Sequence, residues 1–324
     1  MPLMNFLALA PCSPQTTRIY PTGLPTSRLD AEMRCIKTAV ATRCIKRTLA
    51  TRRIVSLLLV FNGLLFVMQA QEFTLLTWNI QNLGQSKDEV EIRNIAEVIN
   101  EFDLVAVQEV VAKDPRGAQA VARLADELNR MGDRWDYRVS NPTRSPSAHI
   151  SERYAFLWRS SKIQLVGRPY LDSELADECD REPYLGQFRL KAGGAPFYIV
   201  NVHARTHDKQ PEKEIAHFES YQKRLATELV FLAGDFNLTE DHPVWMSFYE
   251  VGYQPSISDM ATTLKRKCAR GNYLNHSIDN IYYDEDVVEL SRSGRVDFVR
   301  DCELLEERRG LSDHLPVFLA CSIR

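Results

Sequence analysis

Acids, amides and histidines recur in this chain at the ends of short apolar runs, a placement suited to handling a phosphate ester. Leu229-Val230-Phe231-Leu232-Ala233 stops at Gly234-Asp235-Phe236-Asn237, setting a carboxylate for a cation two residues from an amide for a neutral oxygen. Similar endings are Asn79 after Phe73-Thr74-Leu75-Leu76-Thr77-Trp78, Glu109 after Leu104-Val105-Ala106-Val107-Gln108, and His203 after Phe197-Tyr198-Ile199-Val200-Asn201-Val202. Asp279, and Asp313-His314 just ahead of Leu315, complete the set. Any one of these is an ordinary polar strand end. Together they meet on one rim if the strand ends point the same way. Carboxylates and amides suit a hard divalent cation, Mg²⁺ first, then Mn²⁺ or Ca²⁺, whereas zinc would want more histidine or thiolate. Histidine titrates near neutrality and can move a proton to or from an ester oxygen.

The elements that must position these groups alternate at first. Strand 73–79 is followed by a helix whose Val90, Ile95, Val98, Ile99 and Phe102 recur at helical spacing, with Ser86 and Glu89 placed as a capping box. Strand 103–109 then leads to a second helix capped at Asp114-Pro115, with Val121, Leu124, Leu128 and Met131 on its apolar face. Further on, strands 135–139, 154–158 and 163–166 leave no room for helices between them, and 187–190 with 197–203 reads as a hairpin across Gly193-Gly194. Residues 211–229 are charged and helix-permissive, which predicts a surface segment. Strands 229–235, 278–283 and 315–321 close the pattern. The run at Asp235 is apolar throughout, as a strand covered on both faces must be, and Asp235 and Asn237 share a side if the extended geometry continues. About a dozen strands with few long helices fit two packed sheets with helices outside better than one doubly wound sheet.

Composition divides the chain near residue 70. Residues 1–70 carry nine lysines and arginines against two acids, and the remainder carries thirty-one against forty-one. An acidic body does not attract a polyanion as a whole, so a nucleic-acid or phospholipid partner needs a local patch or a bound cation. Within the leader, 1–53 is basic and contains the repeat Arg34–Thr42 and Arg43–Thr51, while 54–70 has the order of a signal peptide, apolar residues after Arg52-Arg53 and then Gln69-Ala70. Cleavage after Ala70 and a secreted or periplasmic mature domain, 71–324, are expected, with translation starting downstream of Met1, at Met33. Four cysteines then remain, Cys179, Cys268, Cys302 and Cys321, enough for up to two disulfides with three pairings open.

These stretches, in order, resemble the motifs of the endonuclease/exonuclease/phosphatase superfamily, and within it the deoxyribonuclease I branch. The matching residues are Leu76-Thr77-Trp78-Asn79-Ile80, Val107-Gln108-Glu109-Val110, Ser151-Glu152-Arg153-Tyr154, Asp180-Arg181-Glu182-Pro183, Asn201-Val202-His203-Ala204, Gly234-Asp235-Phe236-Asn237, Ile278-Asp279-Asn280-Ile281 and Ser312-Asp313-His314-Leu315-Pro316. The resemblance implies an α/β fold, a four-layer αββα sandwich of two packed mixed β-sheets flanked by helices, and metal-dependent phosphodiester hydrolysis. It implies Glu109 at the cation, with Asn79, Asp235 and Asp313 at the metal or phosphate. His314 oriented by Asp279 and His203 oriented by Glu152 would be the acid–base pair, and Asn237 and Arg181 would contact the phosphate. DNA or another phosphodiester is the implied partner, with a monomer and no stable protein partner.

Departures from the branch bear on substrate. Where the pancreatic-type nuclease has an arginine after Gln-Glu-Val and a tyrosine before Lys-Glu-Arg-Tyr, this chain has Val111 and Ala148-His149-Ile150. Lys113, Arg116, Arg144 and the run Lys265-Arg266-Lys267 with Arg270, expected in a loop, are the available substitutes. A phosphodiesterase or phosphatase acting on a small or lipid phosphate ester is the alternative. A non-catalytic binding module on the same fold is the third reading, which the full set of acids, amides and histidines disfavours.

Overall fold

A computed structural model describes residues 71–324. The basic leader, its repeat, the apolar 54–70 segment and its cleavage site lie outside the described residues.

Two six-stranded sheets form the centre. The first has the order β13 (Val288–Arg295), β14 (Val317–Ile323), β1 (Phe73–Leu83), β2 (Leu104–Val111), β4 (Glu152–Arg159), β3 (Trp135–Val139). The second runs β5 (Ile163–Leu171), β6 (Tyr184–Leu190), β7 (Phe197–His203), β8 (Val230–Asp235), β12 (Asp279–Asp284), β9 (Tyr253–Pro255). Each is mixed, with β1–β2 parallel in one and β7–β8 parallel in the other. Parallel neighbours end at the same side, which puts Asn79 beside Gln108 and His203 beside Asp235.

Period-2 alternation explains the layers. In β1, Leu76, Trp78 and Ile80 pack under the helices α1 (Glu89–Ile99) and α2 (Arg116–Arg130), while Phe73 and Leu75 enter the core between the sheets. In β8, Phe231 and Ala233 face that central core, and Val230 and Leu232 face the outside of the second sheet. The short helices α3 (Glu212–Ile215), α4 (Tyr221–Leu225) and α5 (Met246–Glu250) cover that outer face through Ile215, Tyr221 and Phe248. The result is the expected four-layer sandwich. A polar tie joins the two sheets beneath the site: Gln108 Nε2 donates to Asn201 Oδ1 at 2.7 Å, and Asn201 Nδ2 donates to the Val107 and Ala155 carbonyls at 3.1 and 3.2 Å.

Several local expectations change. The capping box is Asp88 with Glu91, not Ser86 with Glu89: Asp88 Oδ1 accepts from the Val90 and Glu91 amides, each at 2.8 Å, and Glu91 returns to the Asp88 amide at 2.9 Å. Ile92, Ile95, Ala96 and Ile99 form the buried face, leaving Val90 exposed. The 211–229 segment is helical but broken into short pieces, α3 and α4 among them, and it is not wholly on the surface: Glu214 is fully buried, paired with Arg205 at 2.7 Å. Lys265-Arg266-Lys267 is not in a loop but on β10 (Leu264–Ala269), which pairs with β11 (Asn272–Leu274) as a two-stranded ribbon. Cys268–Cys302 ties this ribbon to the segment before α6 (Leu305–Arg308), and Cys179 and Cys321 are free and buried.

Candidate active site

Three strands bring the central acid and both histidines together. β8 ends at Asp235, whose Oδ2 lies 3.5 Å from His203 Nε2 at the end of β7 and 3.7 Å from His314 Nε2 just before β14. Gly234 allows the approach of β7, since a Cβ there would stand 1.9 Å from the Val202 carbonyl oxygen. Each imidazole is held from its other nitrogen. His203 Nδ1 is 2.9 Å from Glu152 Oε2, and His314 Nδ1 is 3.0 and 2.9 Å from the two Asp279 oxygens. A carboxylate at Nδ1 fixes ring orientation and leaves Nε2 for chemistry.

On the first sheet, the register of β2 against both β1 and β4 shifts around Glu109, whose φ is +60°. This bulge re-aims the Glu109 side chain toward β1. Asn79 Nδ2 donates to Glu109 Oε1 and to Asp235 Oδ2, both at 3.1 Å, and so connects the sheets. The Asn82 amide donates to Glu109 Oε2 at 3.1 Å, and the Glu109 amide donates to Glu152 Oε1 at 3.1 Å. Arg181 Nε sits 2.9 Å from Glu152 Oε2, so the guanidinium braces the same carboxylate that orients His203.

Asn237 does not continue the strand. Its φ is +51° and its amide donates to Asp235 Oδ1 at 2.9 Å, with Nδ2 on the Ala204 carbonyl at 3.1 Å. The turn that the sequence read as extended brings Asn237 beside Asp235 by a local hydrogen bond instead. Asp313 stands apart from the other candidates: Oδ2 accepts from Gln81 Nε2 at 3.0 Å and Arg309 Nη2 at 3.1 Å.

Burial disfavours a charged imidazole, but Asp279 and Asp235 outweigh it at His314 and hold its pKa up to about 10. At His203 burial and Arg181 push downward, and Glu152 with Asp235 still raise the pKa. Asp279 is raised chiefly by burial, against the pull of His314.

The donor set fits a hard divalent cation. Asn79 Oδ1 is buried without a partner, and turning the amide over would present that oxygen toward Glu109 and Asp235. Asp235, Asp279 and His314 also place ligand atoms within 4.8 Å of one another, but both Asp279 oxygens already bond His314 and Oδ2 accepts from Thr262 Oγ1 at 2.7 Å. That geometry is a carboxylate–imidazole pair. Over Glu109 opens a cleft of about 240 Å³ lined by Asn82, Lys113, His149, Arg181 and their neighbours.

Several supporting residues escaped sequence reading. Thr262 braces Asp279, the Tyr154 hydroxyl accepts the His203 amide at 3.2 Å, and Ser312 donates to the Asn79 carbonyl at 2.6 Å while accepting the His314 amide. Ser312 and Tyr154 lie inside matched motifs and could have been found there. Thr262 carries no local signal, because its partner is seventeen residues away.

Sandwich and site together define a phosphoester hydrolase. Residues 76–314 match the Endonuclease/Exonuclease/phosphatase family, and the chain belongs to it. A protein named deoxyribonuclease from Thioalkalivibrio sp. (strain K90mix) is 30% identical over 268 residues, covering 76% of this chain and 70% of that protein. Two solved structures share the fold: an endonuclease/exonuclease/phosphatase family protein from Bacteroides thetaiotaomicron, at 18% identity and TM-score 0.57, covering 79% and 99% of the two chains, and a mannosyl-6-phosphatase from the same organism, at 18% identity and TM-score 0.56, covering 77% and 99%.

Proposed function

We propose that this chain is an exported, divalent-cation-dependent phosphodiesterase that cuts DNA as a deoxyribonuclease I-like endonuclease of low sequence specificity, working as a monomer. The observation that carries the reading is the approach of both imidazoles, each backed by its own carboxylate, to one oxygen of Asp235. The name of the Thioalkalivibrio relative supports DNA as substrate.

One imidazole takes a proton from the attacking water as the new P–O bond forms. The other gives a proton to the ester oxygen as the old P–O bond breaks. Glu152 and Asp279 hold the two rings in position and stabilise their charged forms. Asn237 and Arg181 would donate to the phosphate, stabilising the charge that grows on its oxygens. Glu109, Asn79 and Asp235 are the residues to hold Mg²⁺, or in its place Mn²⁺ or Ca²⁺, and Asp313, bonded to Gln81 and Arg309, is not drawn into that set. Bound there, the cation supplies the positive charge that lets an anionic ester accept a nucleophile.

A second reading, hydrolysis of a small or lipid phosphate ester, is favoured by Val111 and Ala148-His149-Ile150 in place of the expected arginine and tyrosine. Purified protein incubated with plasmid and with an aryl phosphodiester, with Mg²⁺, Ca²⁺ or chelator, separates the two. Nicking of plasmid that stops with chelator is the expected result; turnover of the aryl ester with intact plasmid selects the second reading.

A further inference from the structure

Where the sheets end at one side, their outermost strands β3 and β5 leave a crevice of about 530 Å³ lined by Arg138, Asn141, Arg168, Tyr170 and Tyr184 among others. Its chemistry follows from the strands. Arg138 lies opposite Phe156 in the β3–β4 register, and Phe156 belongs to the core between the sheets, so Arg138 leaves the edge strand on that inner face. Arg168 sits in Gly167-Arg168-Pro169, where the β5–β6 register shifts between Val166 and Tyr170. A bulge of this kind re-aims a side chain, and proline suits an edge strand. No carboxylate is among the residues lining the crevice, although acids outnumber bases in the domain.

Tyr184 gives the crevice a floor. It is 3% exposed, its ring stacked 5.0 Å from Phe156 and 6.3 Å from Tyr154, and its hydroxyl has no hydrogen-bond partner among the described residues. The ring is buried, and the hydroxyl at its tip opens on the crevice. Burial pushes its pKa up to about 12, while Arg138 and Arg168, which line the same crevice, pull the other way. Arg168 makes no ion pair among the described residues, whereas Arg138 Nη1 lies 3.4 Å from Asp136 Oδ1 on its own strand, and Tyr170 stands 47% exposed beside Arg168.

Tyr184 links the crevice to the chemistry. Tyr184 follows Arg181 by three residues and stacks on Tyr154, the ring whose hydroxyl accepts the His203 amide. Tyr184 pairs with Asn201 on β7, two residues before His203.

We infer that this crevice is a second phosphate subsite, taking a phosphate of the same nucleic-acid strand that is cut at the histidine pair. Arg138 and Arg168 neutralise it, the Tyr184 hydroxyl donates to it, and Tyr170 offers a ring for the adjoining base. The inference rests on the DNA reading above and names what that reading lacks, a place for substrate beyond the scissile group.

The test is binding of a short fluorescein-labelled DNA oligonucleotide to the full chain in chelator, followed by anisotropy across a salt series, with aryl phosphodiester turnover in Mg²⁺ measured in parallel. Arg138→Gln/Arg168→Gln should weaken binding and lower the slope of log affinity against log salt by about one to two, as expected for one or two lost phosphate contacts. Tyr184→Phe removes only the hydroxyl and should weaken binding several-fold with the slope unchanged. Aryl ester turnover should stay at the wild-type rate in both variants, which also shows that they fold. Wild-type affinity and slope in both variants would overturn the subsite while leaving DNA hydrolysis standing. A wild-type protein that turns over the aryl ester but binds no oligonucleotide overturns both. Inorganic phosphate that raises the melting temperature of the wild type but not of the double variant would, in that case, reassign the crevice to a free phosphate.

Discussion

His203 and His314 reach the same oxygen: Asp235 Oδ2 stands 3.5 Å from Nε2 of one and 3.7 Å from Nε2 of the other. Groups that share one reacting centre act as a unit. His203→Ala and His314→Ala should each lower kcat by about 10²–10⁴-fold, the range of a lost general acid or base. Removing both should cost far less than the product of the single effects. Steady-state rates on plasmid, with circular dichroism as the fold control, check this; a single variant near the wild-type rate would remove that histidine from the mechanism.

Glu109 is held by backbone strain, a positive φ in a non-glycine residue, at the bulge that turns it toward Asn79. Strain of this kind persists where the surrounding structure demands a particular side-chain position. Glu109→Gln should raise the Mg²⁺ concentration for half-maximal rate by at least about tenfold, and Asn79→Ala, which removes the unpartnered amide oxygen, should raise it as well. Cation titrations of rate and of melting temperature report the same site independently. No change in either would place the cation elsewhere.

The strands that carry the site were legible because both their faces are buried. β1, β2, β7 and β8 read as apolar runs ending in polar residues, and α1 and α2 showed helical spacing. What the sequence hid is local or polar. β10, in the two-stranded ribbon, and β13, at the edge of the first sheet, are charged elements without an apolar run, so the ribbon looked like a loop and β13 gave no strand signal. Asp88 and Ser86 both satisfy the capping pattern, and only the hydrogen bonds decide between them. Asn237 in the left-handed region and the attachment of Asp313 to Gln81 and Arg309 depend on backbone turns that residue type alone does not specify.

The raised pKa of His314 links the site to stability. An imidazole lifted from its ordinary 6.5 to about 10 contributes its full stabilisation below about pH 6.5, where it is charged both folded and unfolded. That contribution is lost as pH rises toward 10. In chelator, the melting temperature of the wild type should fall between pH 7 and about pH 10, and the fall should be smaller in His314→Asn. Parallel curves for the two proteins would mean that the imidazole is not held charged by Asp279 and Asp235.

Gly234 stands where β8 passes β7 at the site. Any Cβ would meet the Val202 carbonyl carbon at 2.7 Å as well as its oxygen at 1.9 Å, and backbone cannot rotate away as a side chain does. Gly234→Ala should therefore destabilise the domain by about 3 kcal/mol or more. Because Asp235 follows directly, the rate should fall even below the unfolding temperature. Denaturant unfolding together with activity at low temperature measures both effects, and wild-type stability would show that the β7–β8 contact is looser than this geometry.

The ribbon offers the last and broadest test of substrate. Lys265, Arg266, Lys267 and Arg270 make no ion pair among the described residues, and Cys268–Cys302 fixes the strand that carries three of them. The ribbon begins beside the chemistry: the Leu264 amide donates to the Asp313 carbonyl at 2.8 Å, and Thr263 bridges His314. Each cation that meets a DNA phosphate adds about 0.9 to the salt slope of binding. The triple substitution Lys265→Ala/Arg266→Ala/Lys267→Ala should thus lower the salt slope of kcat/KM on plasmid by up to about 3, while aryl ester turnover is unchanged. Cys302→Ser should move plasmid cleavage in the same direction by releasing the ribbon with its charges intact. If plasmid and aryl ester respond alike, the ribbon acts on the histidine rather than on the polyanion, because only a long substrate reaches past the site to the ribbon's outer charges.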